Sequence, residues 1–253
     1  GIGAPDASPL DGSMSHPANF RWGDYVPLVK SVSEILNHKA FLTNDANAAA
    51  LGEWYFGAGK GMTDVAVITL GTGVGSGFIV DSRLVLGKRG MAGEFGHIVA
   101  VPDGRDCSCG HKGCVEMYAS ARGMRQTALD FLAEFDGESP LRGYTLENMS
   151  VRKIEKAARE GDPVAINTFL KTGKILGSKL SDLIALFDLE AIILSGGVSK
   201  AGELLLQPTF EAMNANTFPA FRGITKLLVS KTENANAAVL GAAALVFNQV
   251  RDS

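Results

Sequence analysis

The sequence has 253 residues, of which 46% are hydrophobic and 20% are charged, and its formal net charge at pH 7 is -3. A chain of this length can bury a large core, and this composition is ordinary for a soluble globular protein. The small negative charge gives no electrostatic footprint for nucleic acid, and no apolar run approaches the length of a membrane span.

Strands and helices are predicted to alternate along most of the chain. A period of 3.6 residues predicts helices, and short apolar runs of β-branched residues predict buried strands. After a strand end and a loop over 1–24, the first predicted elements are a helix at 31–39, a strand at 39–43 and a helix from 45 to the glycines at 57–61. A strand at 64–71, a glycine turn at 71–77 and the return strand of a hairpin at 77–87 follow. The rest of the chain is predicted to form helices at 115–135, 151–159 and 163–187, a strand at 190–197, a helix at 203–213, a strand at 226–231 and a helix at 235–250. This alternation predicts an α/β fold with a mostly parallel sheet.

The stretch from Gly90 to Tyr118 is too rich in glycine to be a core element, and it contains all three cysteines. One nitrogen and three sulfurs form a ligand set that a tetrahedral zinc ion prefers, and with four protein ligands no position remains for water. The sequence therefore predicts a structural Zn²⁺ site formed by His97, Cys107, Cys109 and Cys114.

Two alternatives remain open for this stretch. His111, inside the cysteine cluster, is a second candidate for the nitrogen ligand, and the cysteines could be unrelated reduced thiols beside a buried histidine. Three clustered cysteines suit a metal in a reducing compartment better than a disulfide framework, so we expect a cytoplasmic protein.

Asn44 and Asp45 stand at a predicted strand-to-helix junction. In an open α/β sheet, ligands bind at the carboxyl ends of the strands. A carboxylate beside an amide at this place suits the hydroxyl groups of a sugar. The alternative is that Asp45 is only a helix N-cap, which stabilises a helix by about 1 kcal/mol.

Two glycine-rich turns follow predicted strands. Residues 70–77 read LGTGVGSG and residues 195–202 read SGGVSKAG, and both expose backbone N–H groups that can hold phosphate oxygens. The first turn matches neither the P-loop nor the dinucleotide fingerprint. A tight turn without any ligand is the alternative at both places.

Glu94 and Glu116 flank the cysteines. A structural zinc would fix the backbone on which both carboxylates are carried, and rigid positioning is what recognition of a polyol requires. The alternative is that both are solvated surface residues.

Five motifs, in this order, resemble the ROK family (repressors, open reading frames and kinases), and most closely its bacterial glucokinases. They are TNDANAAALGE, LGTGVGSG, GMAGEFGH, CSCGHKGCVEMYAS and LSGGVSKAG. The resemblance extends from GIGAP at the start to AAVLGAAALV near the end. It implies an actin-like, ribonuclease H-like ATPase fold in a two-domain sugar kinase of carbohydrate metabolism.

The resemblance implies that ATP, with Mg²⁺, phosphorylates the 6-hydroxyl of a hexose, with glucose as the first expectation, as in glycolysis. Asp45 matches the catalytic base. The implied substrate contacts are Asn44, Asp45, Glu94, His97 and Glu116. The implied nucleotide contacts are Gly71, Thr72, Gly73, Gly196 and Gly197. The implied zinc ligands are His97, Cys107, Cys109 and Cys114, so that His97 would contact the metal through one ring nitrogen and the sugar through the other.

The resemblance also predicts the domains. Residues 1–44 would be the remainder of a small N-terminal domain, on which a helix at 235–253 packs, and 45–234 would form a large C-terminal domain with the zinc-binding loop at 90–118. The family has an Asp-x-Gly-Gly-Thr phosphate loop before the segment that GIGAP matches, and this sequence contains none. We therefore expect an incomplete N-terminal domain, and an ATP site that is less complete than the sugar and zinc sites.

Three other functions remain open. An N-acetylmannosamine or other hexose kinase shares the contact residues, whereas the Cys107-Ser-Cys109 spacing argues against a fructokinase. The second alternative is a sugar-responsive transcriptional repressor, as some relatives are, but retention of Asp45 and of the glycine loops favours the enzyme. The third alternative is a folded but inactive fragment. The expected partners are the hexose and further copies of the chain, in a dimer or tetramer, without nucleic acid or membrane.

Overall fold

The computed structural model describes residues 1–15, 22–232 and 235–251, so part of the loop predicted within 1–24 lies outside the described residues. The strands in this part of the chain are β1 (Ile2–Gly3), β2 (Ala7–Ser8), β3 (Ser13–Ser15), β4 (Tyr25–Val26), β5 (Leu42–Thr43), β6 (Val65–Leu70), β7 (Val74–Val80), β8 (Arg83–Leu84), β9 (Ala191–Ser195) and β10 (Lys226–Val229). The α-helices are α1 (Leu28–Leu36), α2 (Asp45–Phe56), α3 (Glu116–Ala119), α4 (Ala121–Glu134), α5 (Val151–Arg159), α6 (Pro163–Phe187), α7 (Glu203–Asn216) and α8 (Ala235–Arg251). Short 3-10 helices occur at Phe95–His97, Ser199–Ala201 and Pro219–Phe221.

The strands form mixed sheets. The largest sheet has the order β10-β9-β6-β7-β8, in which β10 and β9 are parallel and β7 and β8 are antiparallel. β1 and β5 form a parallel pair, and β2, β3 and β4 form a small antiparallel sheet. The pairs β10–β9 and β1–β5 are parallel, as the prediction of a mostly parallel sheet expects. A tight turn at Asp81 and Ser82, both with positive φ, divides the return strand predicted at 77–87, so that β8 becomes an antiparallel neighbour of β7.

The first of two compact units consists of Gly1–Ile68, Ser76–Glu94 and Ser230–Ser253. Its α8 packs against α2 and contacts β1, and a Cβ on Gly241 would lie only 2.5 Å from the carbonyl oxygen of Ala48. Small residues bring these two helices together, which explains the alanine-rich sequence of α2. The unit extends past the predicted boundary at residue 44 because α2 is packed within it.

The second compact unit consists of Thr69–Gly75 and Phe95–Val229. Its longest helix, α6, begins as predicted: Asp162 accepts the N–H of Ala165 at 2.7 Å, and Pro163 follows in the first turn. α6 packs closely along α7, because a Cβ on Gly173 would lie 2.7 Å from the ring of Pro208. Pro208 is thus accommodated inside α7 at a helix contact. Among the described residues, no helix combines the length and the apolar character that a membrane crossing needs.

Other predicted elements also differ from the structure, and the helix predicted at 31–39 is α1 at Leu28–Leu36. The helix predicted at 115–135 is divided into α3 and α4, because Ser120 takes an extended conformation and its hydroxyl accepts the N–H of Gly123 at 3.0 Å. The glycine turn predicted at 71–77 ends at Gly73, and β7 already begins at Val74. Gly77 belongs to the strand, where a Cβ would lie 2.6 Å from the Cβ of Ala50 in α2. Glycine is required there for packing rather than for turning.

Candidate functional site

The predicted metal ligands come together within the second unit. The ligand atoms of His97, Cys107, Cys109 and Cys114 all lie within 4.8 Å of one another. The Sγ atoms of Cys109 and Cys114 are 3.6 Å apart, and Sγ of Cys107 is 3.6 Å from Nδ1 of His97. In a tetrahedral zinc site with Zn–S bonds of about 2.3 Å, neighbouring sulfurs are about 3.8 Å apart. The arrangement therefore fits a structural Zn²⁺.

Glycines shape the turns of the segment from His97 to Cys114, the metal loop, which carries the four candidate ligands. The N–H of Cys107 donates to the carbonyl of His111 at 2.9 Å, and Gly110 between them has a φ of +89°. Gly113 has a φ of +75°, and a Cβ there would collide with the carbonyl oxygen of Val101. Side chains are excluded at both turns, which allows the chain to bring three sulfurs to one point.

The thiols of this cluster have unequal proton affinities. Burial and, to a smaller extent, the neighbouring thiols of Cys109 and Cys107 together raise the pKa of Cys114 to about 12. The backbone N–H of His111 lowers the pKa of the exposed Cys109 to about 6. A coordinating thiol is deprotonated outright, so a divalent cation would hold the buried Cys114 as a thiolate. His111 also lies beside the cluster, with its Nδ1 atom 3.6 Å from Sγ of Cys109, although it is not among the four converging ligands.

Arg105 anchors the metal loop to the helices that follow it. Its guanidinium donates to the carbonyls of Met117 and Gly123 at 2.7 and 2.9 Å, and to the hydroxyl of Thr127 at 2.9 Å. It also donates to Oδ2 of Asp130 at 2.6 Å. Arg105 was not predicted from the sequence, because no spacing rule connects it with acceptors on α3 and α4.

Glu116 is the first residue of α3 and lies beside the first glycine turn. Its Oε2 atom accepts the N–H of Val74 at 2.9 Å. A Cβ on Gly73 would lie 2.5 Å from the same oxygen, so the missing side chain at this position lets the carboxylate approach. The structure thus connects a predicted sugar contact with the predicted nucleotide loop.

A cavity in the second unit is lined by several of the predicted nucleotide contacts. It has a volume of about 440 Å³, and Gly71 and Thr72 from the first glycine turn line it with Gly197 from the second. The other lining residues are Ala121, Arg125, Met149, Ser150, Val151, Arg152 and Val198. Volumes of about 300–1,000 Å³ are usual for small-molecule sites. The residues from α4, α5 and the segment before α5 were missed, because their spacing in the sequence gives no sign of convergence.

Gly73 and Gly196 do not line this cavity, but Gly196 fixes the second glycine turn beside it. Gly196 has a φ of +91°, and a Cβ there would lie 2.5 Å from the carbonyl oxygen of Leu70. The same carbonyl accepts the N–H of Val198 at 3.0 Å. The second glycine turn is therefore held directly against the end of β6.

The first unit contains a separate cavity of about 300 Å³ at the carboxyl ends of β1 and β5. Asn44 and Glu94, two of the predicted sugar contacts, both line it. The remaining lining residues are Asp6, Ala7, Ser8, Asp11, Ser15, Arg89, Gly90 and Met91. Carboxylates, hydroxyls and an amide dominate this set, which suits a ligand with several hydroxyl groups. Asn44 directly follows β5, and Asp6 comes three residues after the end of β1; a polar residue soon after a strand was the signal that could have identified Asp6.

Asn44 and Asp45 have different roles at the start of α2. Asn44 is the N-cap, and its Oδ1 atom accepts the N–H of Asn47 at 2.6 Å. Asp45 is the exposed first residue of the helix, and its Oδ1 atom accepts the N–H of Ala46 at 2.9 Å. The alternative that Asp45 is the N-cap is therefore wrong, since Asn44 performs this function.

Known proteins resemble this chain over nearly its whole length. Residues 1–249 match the ROK family. A glucokinase of Thermotoga maritima is 32% identical over 252 residues, which cover 99% of this chain and 79% of that protein. A ROK family glucokinase from Streptomyces griseus, solved in complex with glucose and AMPPNP, is 37% identical with a TM-score of 0.80, over 97% of this chain and 80% of that one. A xylose repressor of Caldicellulosiruptor bescii is 31% identical over 251 residues, which cover 99% of this chain and 62% of the repressor.

The fold and these sites define an α/β protein of the actin-like ATPase class, as the sequence predicted. Its distinguishing features are a His-Cys₃ metal loop and a glycine turn that lies against it. The chain belongs to the ROK family.

Proposed function

We propose that this chain is an ATP-dependent hexose kinase with glucose as its substrate. The observation that supports this most directly is the cavity of the second unit, where Gly71 and Thr72 meet Gly197 from a motif far away in the sequence. The glucokinases of Thermotoga maritima and Streptomyces griseus, which resemble this chain over nearly its whole length, give further support.

The chemistry that we propose uses Asp45 as the general base. The 6-hydroxyl of the sugar attacks the γ-phosphorus of ATP, the bond from this phosphorus to the bridging oxygen of ADP breaks, and the hydroxyl proton passes to Asp45. The N-terminus of α2 stabilises a negative charge at this position. Among the described residues, the N–H of Ala46 is the one hydrogen-bond donor to this carboxylate, so an oxygen remains to receive the proton.

The phosphoryl donor that we propose is ATP with Mg²⁺ bound to its phosphates. The metal ion neutralises charge that develops during transfer. The backbone N–H groups of Gly71, Thr72 and Gly73 would hold phosphate oxygens, and the turn at Gly196 and Gly197 would lie on the adenosine side. The residues of the chain therefore bind and align the donor, because phosphoryl transfer needs little covalent help from the protein.

The sugar contacts that we propose are Asn44, Asp45, Glu94, His97 and Glu116. Asn44 uses its carbonyl oxygen for the helix cap, which leaves its amide N–H groups for sugar oxygens. Glu94 is exposed in the lining of the first unit's cavity and would accept hydrogen bonds from sugar hydroxyls. Nδ1 of His97 faces Cys107, so Nε2 is the nitrogen that would contact the sugar.

Zinc has a structural role in this proposal. His97, Cys107, Cys109 and Cys114 would hold it with no open position, so it would supply a rigid support for His97 and for α3 rather than a reacting group. Because these cysteines must stay reduced, we also propose a cytoplasmic location. We further propose a homodimer or homotetramer, which sedimentation equilibrium would test.

The test of the proposed function is an ADP-release assay on the 253-residue chain with ATP, Mg²⁺ and four sugars: glucose, N-acetylmannosamine, N-acetylglucosamine and fructose. Calorimetric titration with the same sugars runs beside it. We expect ADP release that depends on glucose and is weaker with the other three. Turnover with N-acetylmannosamine above that with glucose would identify the alternative kinase.

A sugar sensor is the second candidate, because the xylose repressor of Caldicellulosiruptor bescii is similar over nearly the whole chain. A sensor requires sugar binding but neither Asp45 nor a nucleotide site. Calorimetric binding of a sugar without any ADP release would favour the sensor over the kinase. If no sugar in the panel bound or turned over, both functions would be refuted for this chain.

A further inference from the structure

The contact between Glu116 and Val74 joins two parts of the site that the proposed function treats separately. The carboxylate of Glu116 accepts the backbone N–H of Val74 at 2.9 Å, and Val74 immediately follows the turn that we assign to phosphate binding. Glu116 is half-buried, and Val74 is buried. A partly buried hydrogen bond to a charged group contributes more than a neutral one, so this contact helps to set the conformation of the turn.

The turn itself has few other fixed points. The N–H of Gly71 donates to the carbonyl of Gly73 at 3.0 Å within the turn, and the carbonyl of Gly71 accepts the N–H of Ala121 at 2.8 Å. The turn is thus held from the α3–α4 segment at both of its ends, at Gly71 through the backbone and at Val74 through the side chain of Glu116. Of these two attachments, only the one at Val74 is made by a side chain.

Glu116 is carried on a backbone that is fixed from the metal loop. The N–H of Val115 donates to the carbonyl of Ile98 at 2.9 Å, and Arg105 binds the carbonyl of Met117 at 2.7 Å. Cys114, two residues before Glu116, is one of the four converging metal ligands. The helix start therefore cannot shift easily, and the freedom that remains is the orientation of the carboxylate.

We propose that Glu116 couples the binding of the sugar to the binding of the nucleotide. This inference rests on the proposed function, in which a sugar hydroxyl also donates to Glu116. When the carboxylate of Glu116 accepts both a sugar hydroxyl and the N–H of Val74, its orientation is fixed. In that orientation it keeps the turn at 71–73 in the conformation that presents its N–H groups to phosphate. Whichever ligand binds first orders the carboxylate and the turn, so the second ligand binds more tightly.

Thermodynamic linkage makes this proposal quantitative. If glucose tightens the binding of a non-hydrolysable ATP analogue by some factor, the analogue must tighten the binding of glucose by the same factor. We expect a coupling factor in the usual range of about 5- to 150-fold for the unsubstituted chain. Calorimetric titration of each ligand, alone and with the other at saturation, measures it in both directions.

Two variants break the contact from opposite sides. Gly73→Ala puts a Cβ 2.5 Å from Oε2 of Glu116 and displaces the carboxylate without removing it. Glu116→Ala removes the carboxylate. For this variant, the affinity for the ATP analogue is measured without sugar and again at a sugar concentration that saturates the weakened sugar site. Both variants should reduce the coupling factor to a value near one. Melting temperature and zinc content verify that each variant is folded.

Two controls change the same ligand affinities without touching this contact. Gly71→Ala alters the same turn, but among the described residues no atom lies within 4 Å of the position of its Cβ. Glu94→Gln weakens a sugar contact that the first unit provides. Each control should lower the affinity for one ligand while the coupling factor stays at its unsubstituted value.

The outcomes separate this inference from the proposed function. The inference would be overturned if the coupling factor were unchanged in both Gly73→Ala and Glu116→Ala. It would also be overturned if the unsubstituted chain phosphorylated glucose but had a coupling factor of one. Absence of both sugar binding and sugar-dependent ADP release would instead refute the proposed function on which the inference rests.

Discussion

Arg105 and Asp130 form an ion pair between the metal loop and α4, with Nη2 of the arginine 2.6 Å from Oδ2 of the aspartate. The side chain of Arg105 is only 17% exposed, and its guanidinium lies 4.7 Å from the centre of the Tyr118 ring. Burial alone would raise the pKa of Asp130, but hydrogen bonds from Gln126 and Arg105 outweigh it and lower the pKa. The pair therefore attaches the loop that carries the metal ligands to the helical part of the second unit.

We expect Arg105→Met to destabilise the protein by roughly 1–3 kcal/mol, because it leaves polar partners without their donor. The matched control is Lys112→Met, which breaks an exposed 3.5 Å pair with Asp106 in the same loop. Such surface pairs contribute about 0–1 kcal/mol. Urea unfolding of both variants measures the difference. Equal losses in the two variants would show that Arg105 is no more than a surface cation.

Metal analysis tests the four-ligand cluster. We expect about one zinc per chain in protein purified without chelator, because one nitrogen and three sulfurs complete a tetrahedral site. His97→Ala and Cys114→Ser should lose this zinc and lower the melting temperature, whereas His111→Ala should keep both. Elemental analysis by mass spectrometry gives the stoichiometry. Zinc retained in His97→Ala and lost in His111→Ala would move the nitrogen ligand to His111.

The convergence of the four candidate metal ligands was predictable because their chemistry is specific: few residue types bind zinc, and the three cysteines stand close together in the sequence. The start of α6 was predictable because Asp162 and Pro163 are local capping signals. Asn44 and Asp45 were also located correctly, since a strand end and a helix start meet there. These predictions succeed because each depends on neighbours in the sequence.

The residues that were missed depend on contacts between distant segments. Arg105 binds acceptors on α3 and α4, and the second unit's cavity, which we assign to the nucleotide, takes Arg125 and Arg152 from helices that no motif connects with the glycine turns. The turn predicted at 71–77 was too long for the same reason, because the requirement for glycine at Gly77 comes from packing against α2 rather than from a turn. Local pattern cannot show which side chains tertiary packing brings together.

Glu53 is another such residue, a buried carboxylate in the middle of α2. It accepts the N–H of Ala58 at 2.9 Å and that of Thr232 at 3.2 Å, together with the hydroxyl groups of Ser230 and Thr232. Burial by itself would raise the pKa of Glu53, but these hydrogen bonds outweigh it and lower the pKa. Glu53 thus joins the segment before α8 to α2 within the first unit.

We expect Glu53→Gln to destabilise the protein by roughly 1.5–3 kcal/mol at pH 7, because an amide N–H₂ would replace an acceptor among donors. The pKa is lower in the folded state, so the contribution of Glu53 is complete above the unfolded value of about 4.3 and is lost as the pH falls through the folded value. The difference between the two proteins in urea should be constant above about pH 4.3 and should shrink below it. Glu34→Gln, on the exposed surface of α1, is the control and should change little. A difference that grew on acidification would contradict this account.

Asp45→Asn tests the general base. We expect phosphorylation to fall by about 10²–10⁴-fold, the usual contribution of a positioned general base, while the affinity for sugar changes little. The helix should remain intact because Asn44, not Asp45, provides the N-cap. Steady-state kinetics and calorimetry measure the two quantities, and Asp24→Asn, an exposed aspartate that does not line either cavity, serves as the control. A large loss of sugar binding would refute the role as base.

Gly196 and Gly197 should respond differently to the same substitution. Gly196 has a φ of +91°, and a Cβ would lie 2.5 Å from the carbonyl oxygen of Leu70, so Gly196→Ala should destabilise the protein by at least about 1–2 kcal/mol. Gly197 lines the cavity of the second unit, and among the described residues no atom lies within 4 Å of the position of its Cβ. Gly197→Ala should therefore leave the urea midpoint unchanged but raise the KM for ATP, because the added methyl group occupies space that we assign to the nucleotide. Unfolding curves and ATP titrations of the two variants separate backbone strain from ligand contact. If Gly197→Ala left the KM for ATP unchanged, the adenosine side of the nucleotide would have to lie elsewhere.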